Sequence, residues 1–249
     1  MISYDVLKKL NVPCKVVTFT DAKAFLAADV GDTAESVVVF LMPYTVGREK
    51  GNVSYYAKGM DYHKRAVDIA QNISEIGKIK VYADVSPFKE IDLAAACGLG
   101  VKGKNGLLIN EDYGSFVFIG EILLDDTFDR YDEISEIRGC LNCGRCEAVC
   151  LATAINDKER CISHITQKKG VLTEEEASLI KKSGYIWGCD TCQSVCPMNK
   201  LTDEAPFSLE MSDVEDLSNR EFKEKYKDFA FTWRGVKPLQ RNLEILNKK

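Results

Sequence analysis

No apolar run in this sequence approaches the ~18 residues a membrane-spanning helix needs. The opening segment, MISYDVLKKLNVP, lacks a hydrophobic core followed by a small-residue cleavage site, so no secretory leader is expected. Positive charge is not in excess: 33 Lys and Arg face 38 Asp and Glu, leaving a net charge of -5. That balance argues against a broad nucleic-acid-binding surface while leaving room for a local basic patch. Low-complexity segments and internal repeats are also missing. What remains is ordinary soluble composition, 45% hydrophobic and 29% charged, over 249 residues, enough for one large domain or two smaller ones. The expected setting is the cytoplasm, with no membrane partner. There thiols stay reduced, and cysteine-dense motifs usually bind metal.

Along the chain, SVVVFLM (36–42) is a short β-branched run that reads as a buried strand. Residues 60–77 carry a helical pattern ended by Gly77. KIKVYAD (78–84) alternates like a strand until Ser86-Pro87 breaks it, and DLAAAC (92–97) looks helical. GLLIN and SFVFIGEILLD predict two further strands, with Asp112-Tyr113-Gly114 turning between them. This alternation predicts an α/β domain over 1–135. From Arg138 strand signals fade and eight cysteines lie between 140 and 196, which predicts a metal-organised domain over 136–205. The charged remainder, 206–249, fits a C-terminal tail of two short helices.

The stretch CLNCGRCEAVCLATAI (140–155) holds four cysteines spaced two, two and three residues apart. In a C-x2-C-x2-C run three thiolates wrap one 4Fe–4S cluster. The fourth cysteine, three residues on, ligates the other cluster of a two-cluster protein. Cys140, Cys143 and Cys146 should therefore share a cluster, with Cys150 serving a second. Downstream, CDTCQSVCP supplies Cys189, Cys192 and Cys196. By the same crossing, Cys196 completes the first cluster, while Cys189 and Cys192 join Cys150. A duplicated ferredoxin would place one more cysteine at 186, where Ile186 stands, so Cys161 is left to complete the second set. Structural zinc is the competing reading. Zinc ribbons, however, set their cysteine pairs ~15–20 residues apart and need only four thiolates. Cys14 and Cys97 are left over and read as buried, inert thiols.

Two clusters make a wire, and the upstream domain should receive its electrons. CGLGVKGKNG (97–106) contains G-x-G-x-x-G at Gly98, Gly100 and Gly103. A dinucleotide site needs a strand before it and a helix after it, and here the order is reversed. A stretch without bulky side chains still lets backbone approach a large flat ligand, though a plain surface loop is equally open. Asp84 ends a strand-like run, where α/β folds present chemistry, although an ordinary turn aspartate has the same signature. His63, in YYAKGMDYH, could be a ligand, a proton donor or a hydrogen-bonded helix residue.

Together SVVVFLMPY, YYAKGMDYH, YADVSPFKE, GLGVKGKNGLLIN, GSFVFIGEILLD, CLNCGRCEAVCLATAI, RCISHIT and GCDTCQSVCPMN resemble the epoxyqueuosine reductases. These are cobalamin-dependent iron–sulfur enzymes related to the corrinoid reductive dehalogenases. The resemblance runs from about Ser36 to the C-terminus, and the order of the blocks is more specific than the ferredoxin motif alone. It implies a nitroreductase-like α/β domain holding cobalamin, a two-cluster ferredoxin-like domain and a short helical tail. It also implies reduction of the epoxide of epoxyqueuosine at a tRNA wobble base, with electrons from an external low-potential donor. The same eight cysteines become the cluster ligands. Asp84 aligns with the proposed proton donor, and cobalamin contacts fall to His63, Gly98, Gly100, Lys102, Gly103, Lys104 and Asn105.

Several positions depart from the family pattern. Val101 and Lys102 stand in place of Trp-Ile, Ile91 where an arginine often follows the family's glutamate, and Leu151 where proline follows the fourth cysteine. The segment before Ser36 is short for the family, and no C-terminal helical repeat is expected. A tRNA substrate calls for local basic residues, with Lys102, Lys104, Arg145, Lys168, Lys169, Lys181 and Lys182 as candidates. Two other functions fit the same motifs. One is a corrinoid reductase acting on a different small substrate, and the other is a non-catalytic two-cluster electron carrier.

Overall fold

A computed structural model describes residues 1–28, 34–155 and 157–248. The run SVVVFLMP becomes β2 (Ser36–Pro43), a central strand between β1 (Cys14–Thr18) and β6 (Val117–Leu124). Because side chains alternate along a strand, its continuous apolar run serves two faces at once. Val38, Phe40 and Met42 enter one core with Val16, Ile122, Leu124 and helix α3 (Tyr62–Gln71). Val37, Val39 and Leu41 enter another with Val17, Leu123, Phe88 and helix α4 (Glu90–Ala96). Each such side chain contributes roughly 1.5–3 kcal/mol on burial, so this strand is the keel of the domain. The fourth strand, β3 (Ile79–Ala83), pairs on the far side of β6, giving the order β1-β2-β6-β3 with every pairing antiparallel. Gly120 lies opposite Phe40 on β6, and a Cβ there would sit 2.3 Å from the Phe40 ring. Glycine is required where that ring crosses the strand.

Two local expectations need correction. The helical stretch 60–77 is divided into α3 and a 3-10 turn at Ser74–Ile76 before Gly77. The strand in GLLIN, β5 (Leu108–Ile109), does not pair with β6 but with β4 (Val101–Lys102), forming a small second sheet. The reason is the turn between them. Asn110 and Gly114 exchange backbone hydrogen bonds at 2.8 and 2.9 Å, and the Asn110 carboxamide accepts from the Asp112 and Tyr113 N–H groups. That closed turn ends β5 early and directs the chain away from it.

The chain divides into two compact units, Met1–Pro43 with Tyr62–Asn142, and Tyr44–Asp61 with Cys143–Lys249. The boundaries therefore differ from 1–135, 136–205 and 206–249. Residues 44–61 join the second unit because Val53 and Ala57 enter its core beside Ile186 and Trp187. The C-terminal segment shares that core through Leu209, Phe222, Phe231, Leu239 and Leu243. Its two helices are α9 (Asn219–Lys225) and α10 (Lys237–Asn247). The buried Asn242 on α10 donates to the Thr166 and Ile186 carbonyls at 2.8 and 2.7 Å, tying the tail to the second unit. Helix α7 (Glu174–Ser183) opens on a capping box between Thr173 and Glu176. No helix among the described residues is long and apolar enough to cross a membrane.

Candidate active site and metal centres

Asp84 follows β3 directly and adopts a left-handed backbone, φ 64°. Aspartate tolerates this region better than most residues, at a cost of about 1 kcal/mol, and such strain concentrates where structure serves chemistry. Two contacts hold the residue there. Its N–H donates to Glu90 Oε1 at 2.9 Å, and its Oδ2 accepts from the Tyr62 hydroxyl at 3.1 Å. Tyr62 is itself stacked between His63 and Phe118, with both ring centroids at 4.3 Å. An aromatic column thus aims one hydroxyl at an exposed carboxyl.

Behind this loop lies Glu121, on β6 opposite Val39 and Tyr82. It is fully buried, and neither carboxyl oxygen has a hydrogen-bond partner among the described residues. Burial, with the Glu90 carboxylate as the lesser cause, pushes its carboxyl well above the usual range, while the neighbouring Ser86 hydroxyl pulls the other way. The neutral acid is the form this environment favours. Single-sequence patterns do not separate Tyr62, Glu90 and Glu121 from ordinary helix and strand residues. Only an acid in the middle of the apolar run VFIGEILL could have drawn notice.

The glycine loop runs from α4 into β4, the reverse of a dinucleotide-binding order. Its glycines have different reasons. Gly100 and Gly103 are fixed by the hairpin, since a Cβ would lie 2.6 Å from the Ile109 carbonyl oxygen or 2.9 Å from that of Leu107. Gly98, with φ 80°, has open space at its Cβ position. Lys102 pairs with Asp92 at 2.6 Å, and its backbone bonds to Arg138 and Cys140. Asn105 Oδ1 accepts from the Leu107 N–H at 3.4 Å. The Lys104 N–H donates to Cys140 Sγ at 3.3 Å, so the loop meets the first cysteine of the run.

In the second unit, α5 (Arg145–Val149) carries Cys146 and ends at Cys150, and α8 (Thr191–Ser194) carries Cys192. The two short helices pack together. Cys150, Cys161 and Cys189 gather around one small core of Ala152, Ala154, Ile162 and Tyr185. The Ala154 N–H donates to Cys150 Sγ at 3.3 Å. Such N–H bonds favour thiolate sulfur and tune a bound cluster. Cys143 is exposed, and Cys140, Cys146, Cys192 and Cys196 are partly buried. Among the described residues no three or more His, Cys, Asp or Glu side chains form a single-ion site. What favours clusters is the spacing, the grouping of Cys161 with Cys150 and Cys189, and the bonds to sulfur. By contrast, burial pushes the Cys14 and Cys97 thiols up to about 11 and about 12, and both pack in the cores of the first unit.

Residues 139–199 match the family of 4Fe-4S double cluster binding domains. An epoxyqueuosine reductase from Lactococcus garvieae is 34% identical over 216 residues, covering 78% of this chain and 60% of that protein. One from Listeria monocytogenes is 30% identical over 223 residues, covering 80% and 58%. The chain thus spans about 60% of the length of these curated relatives. Among solved structures, an epoxyqueuosine reductase with an epoxyqueuosine-modified tRNA stem loop superposes with a TM-score of 0.77 at 25% identity. That match covers 97% of this chain and 79% of the other. The chain is homologous to the epoxyqueuosine reductases over most of its length, shares their fold, and contains a double-cluster iron–sulfur domain.

Proposed function

We propose that this chain is a cytoplasmic tRNA epoxyqueuosine reductase. The reaction takes up two electrons and two protons, cleaves both carbon–oxygen bonds of the epoxide, and leaves an alkene and water. The observation that carries the reading is Asp84, fixed at a strand end by Tyr62 and Glu90 in a chain that also holds a double-cluster domain. The homologues named for this reaction and the related structure containing the modified stem loop support it.

In this reading Cys140, Cys143, Cys146 and Cys196 hold one 4Fe–4S cluster, and Cys150, Cys161, Cys189 and Cys192 hold the other. Backbone N–H donation to Cys140 and Cys150 suits thiolate ligands. In the same reading the first unit would hold cobalamin, with the open Cβ side of Gly98 and the exposed His63 and Asp84 available to contact it. Lys102, Asn105, Gly100 and Gly103 are engaged within the chain itself. When bound, cobalamin supplies the low-potential reducing centre for the epoxide carbon, fed through the clusters from an external donor.

The protein's own task is the oxygen. Opening a carbon–oxygen bond leaves an alkoxide, a poor leaving group until protonated. Asp84 gives its proton to that oxygen, a step that contributes about 10²–10⁴-fold in typical general acid catalysis. The Tyr62 hydroxyl fixes the carboxyl beforehand and stabilises the carboxylate that remains. A second proton releases the oxygen as water.

Turnover with the cofactor omitted tests this. Anaerobically reconstituted protein under strong reductant should convert epoxyqueuosine in a stem-loop RNA only when cobalamin is added. Cobalamin binding without conversion of the RNA would point instead to a corrinoid reductase with another substrate.

A further inference from the structure

The second unit contains a cavity of about 630 Å³ on the side opened by α10 and the segment before α7. Five cationic residues line it, Lys169, Arg234, Lys237, Arg241 and Lys248, against one carboxylate, Glu244. In a chain of net charge -5 this local excess is out of step with the whole. The Glu176 carboxylate acts on Arg241, but the lysines of the cavity have no such partner among the described residues. Among the described residues, the side chains of Lys169, Lys237 and Lys248 make no hydrogen bond or ion pair. Arg241 donates to the carbonyl oxygens of Lys168 and Gly170 at 2.7 and 2.8 Å. Those acceptors are neutral, so its charge stays in the cavity wall.

Arg234 adds a second feature. Its Nε is buried with no hydrogen-bond partner. Its guanidinium lies 3.7 Å from the centroid of the Trp233 ring, a cation–π contact. Trp233 is nonetheless 55% exposed, so an indole already backed by a cation offers its remaining surface to solvent.

Unpaired cations around a cavity recognise phosphate esters, and an exposed aromatic ring beside them stacks a nucleobase. We infer that this cavity and Trp233 form an RNA-binding platform, in which Lys169, Lys237 and Arg234 take backbone phosphates and the indole takes an unstacked base. The inference rests on the reading of the chain as an RNA-modifying enzyme and specifies a part of the molecule that grips the RNA. Of the basic residues selected from sequence, only Lys169 lines this cavity. Lys168 is paired with Glu176 at 2.6 Å, and Lys181 donates to the Lys248 carbonyl.

The test is direct binding by the reconstituted full chain to an unmodified stem-loop RNA that carries no epoxide, measured by anisotropy across a salt series. Substituting Lys169→Gln with Lys237→Gln should weaken binding and flatten the slope of log K against log salt by about 1.4–1.8, two phosphate contacts' worth. Trp233→Ala should weaken it about ten-fold, with Trp233→Phe restoring most of the loss. Lys8→Gln, on the other unit, should change neither. A second arm titrates inorganic phosphate and a nucleoside monophosphate into the wild type and the double variant. Unchanged RNA affinity and salt slope in the variants would overturn the inference. So would small-anion binding that the double variant loses while RNA binding persists, since the cavity would then be a free-anion site. Because the probe needs no turnover, failure of the proposed reaction leaves these outcomes readable.

Discussion

The Tyr62 hydroxyl donates to Asp84 Oδ2 at 3.1 Å, linking a helix residue to a strand-end acid 22 positions away. Removing only that oxygen, as Tyr62→Phe, leaves the stack with His63 and Phe118 in place. The fold should therefore hold while epoxide turnover falls about ten-fold, the scale of one hydrogen bond to a charged group. Cobalamin affinity and iron content should match the wild type, and single-turnover kinetics read the loss.

Cys161 lies outside any regular ferredoxin spacing but packs with Cys150 and Cys189. Cys161→Ser should lower the iron content of reconstituted protein from about eight to about four per chain, one cluster of the two. Cys14→Ser and Cys97→Ser should leave it unchanged. Iron and sulfide analysis separates these outcomes.

Glu121 gives a pH dependence whose sign is fixed. Its folded carboxyl sits well above the range it has when unfolded. Folding therefore binds the proton, and the contribution is complete below the ordinary glutamate pKa of about 4.3. It is lost as pH rises from there through the folded value. Glu121→Gln, neutral at every pH, should flatten the stability profile over that window. At alkaline pH it should melt no lower than the wild type.

The glycine loop separates packing from ligand contact. Gly100→Ala meets the Ile109 carbonyl and should cost about 1–3 kcal/mol of stability without a specific effect on cofactor affinity. Gly98→Ala has room for its methyl but must hold φ 80°, a cost of about 1 kcal/mol. Its methyl projects into the open space assigned to cobalamin, so cobalamin affinity should fall more than stability does. Denaturant melts and cobalamin titrations of the two variants tell them apart.

Much of this was legible in the residues. The short β-branched run SVVVFLM reads as a buried strand, and β2 is one, buried on both faces. Strand, helix and glycine loop follow in the order that YADVSPFKE, DLAAAC and CGLGVKGKNG suggest. The thiol arithmetic singled out Cys161, and the fold groups it with Cys150 and Cys189. The pairing of β5 was not legible, because it is decided by the Asn110 side chain closing a turn. Nor was the place of residues 44–61, whose Val53 and Ala57 fill a core made mostly by the distant chain from Ile186 to Leu243. Tyr62 and Glu90 are named only by the contacts they make. Their spacing carries no periodic signal.

The central claim is that Asp84 delivers a proton to the epoxide oxygen in a reduction driven through two clusters and cobalamin. The most direct measurement is mass analysis of the nucleoside from epoxyqueuosine stem-loop RNA after anaerobic incubation. Fully loaded wild-type and Asp84→Asn proteins would be compared under the same low-potential reductant. The wild type should yield the alkene, lighter by one oxygen atom, and the variant should leave the epoxide intact while keeping its iron and cobalamin. An unconverted epoxide with the loaded wild type, or equal conversion by Asp84→Asn, would contradict the claim.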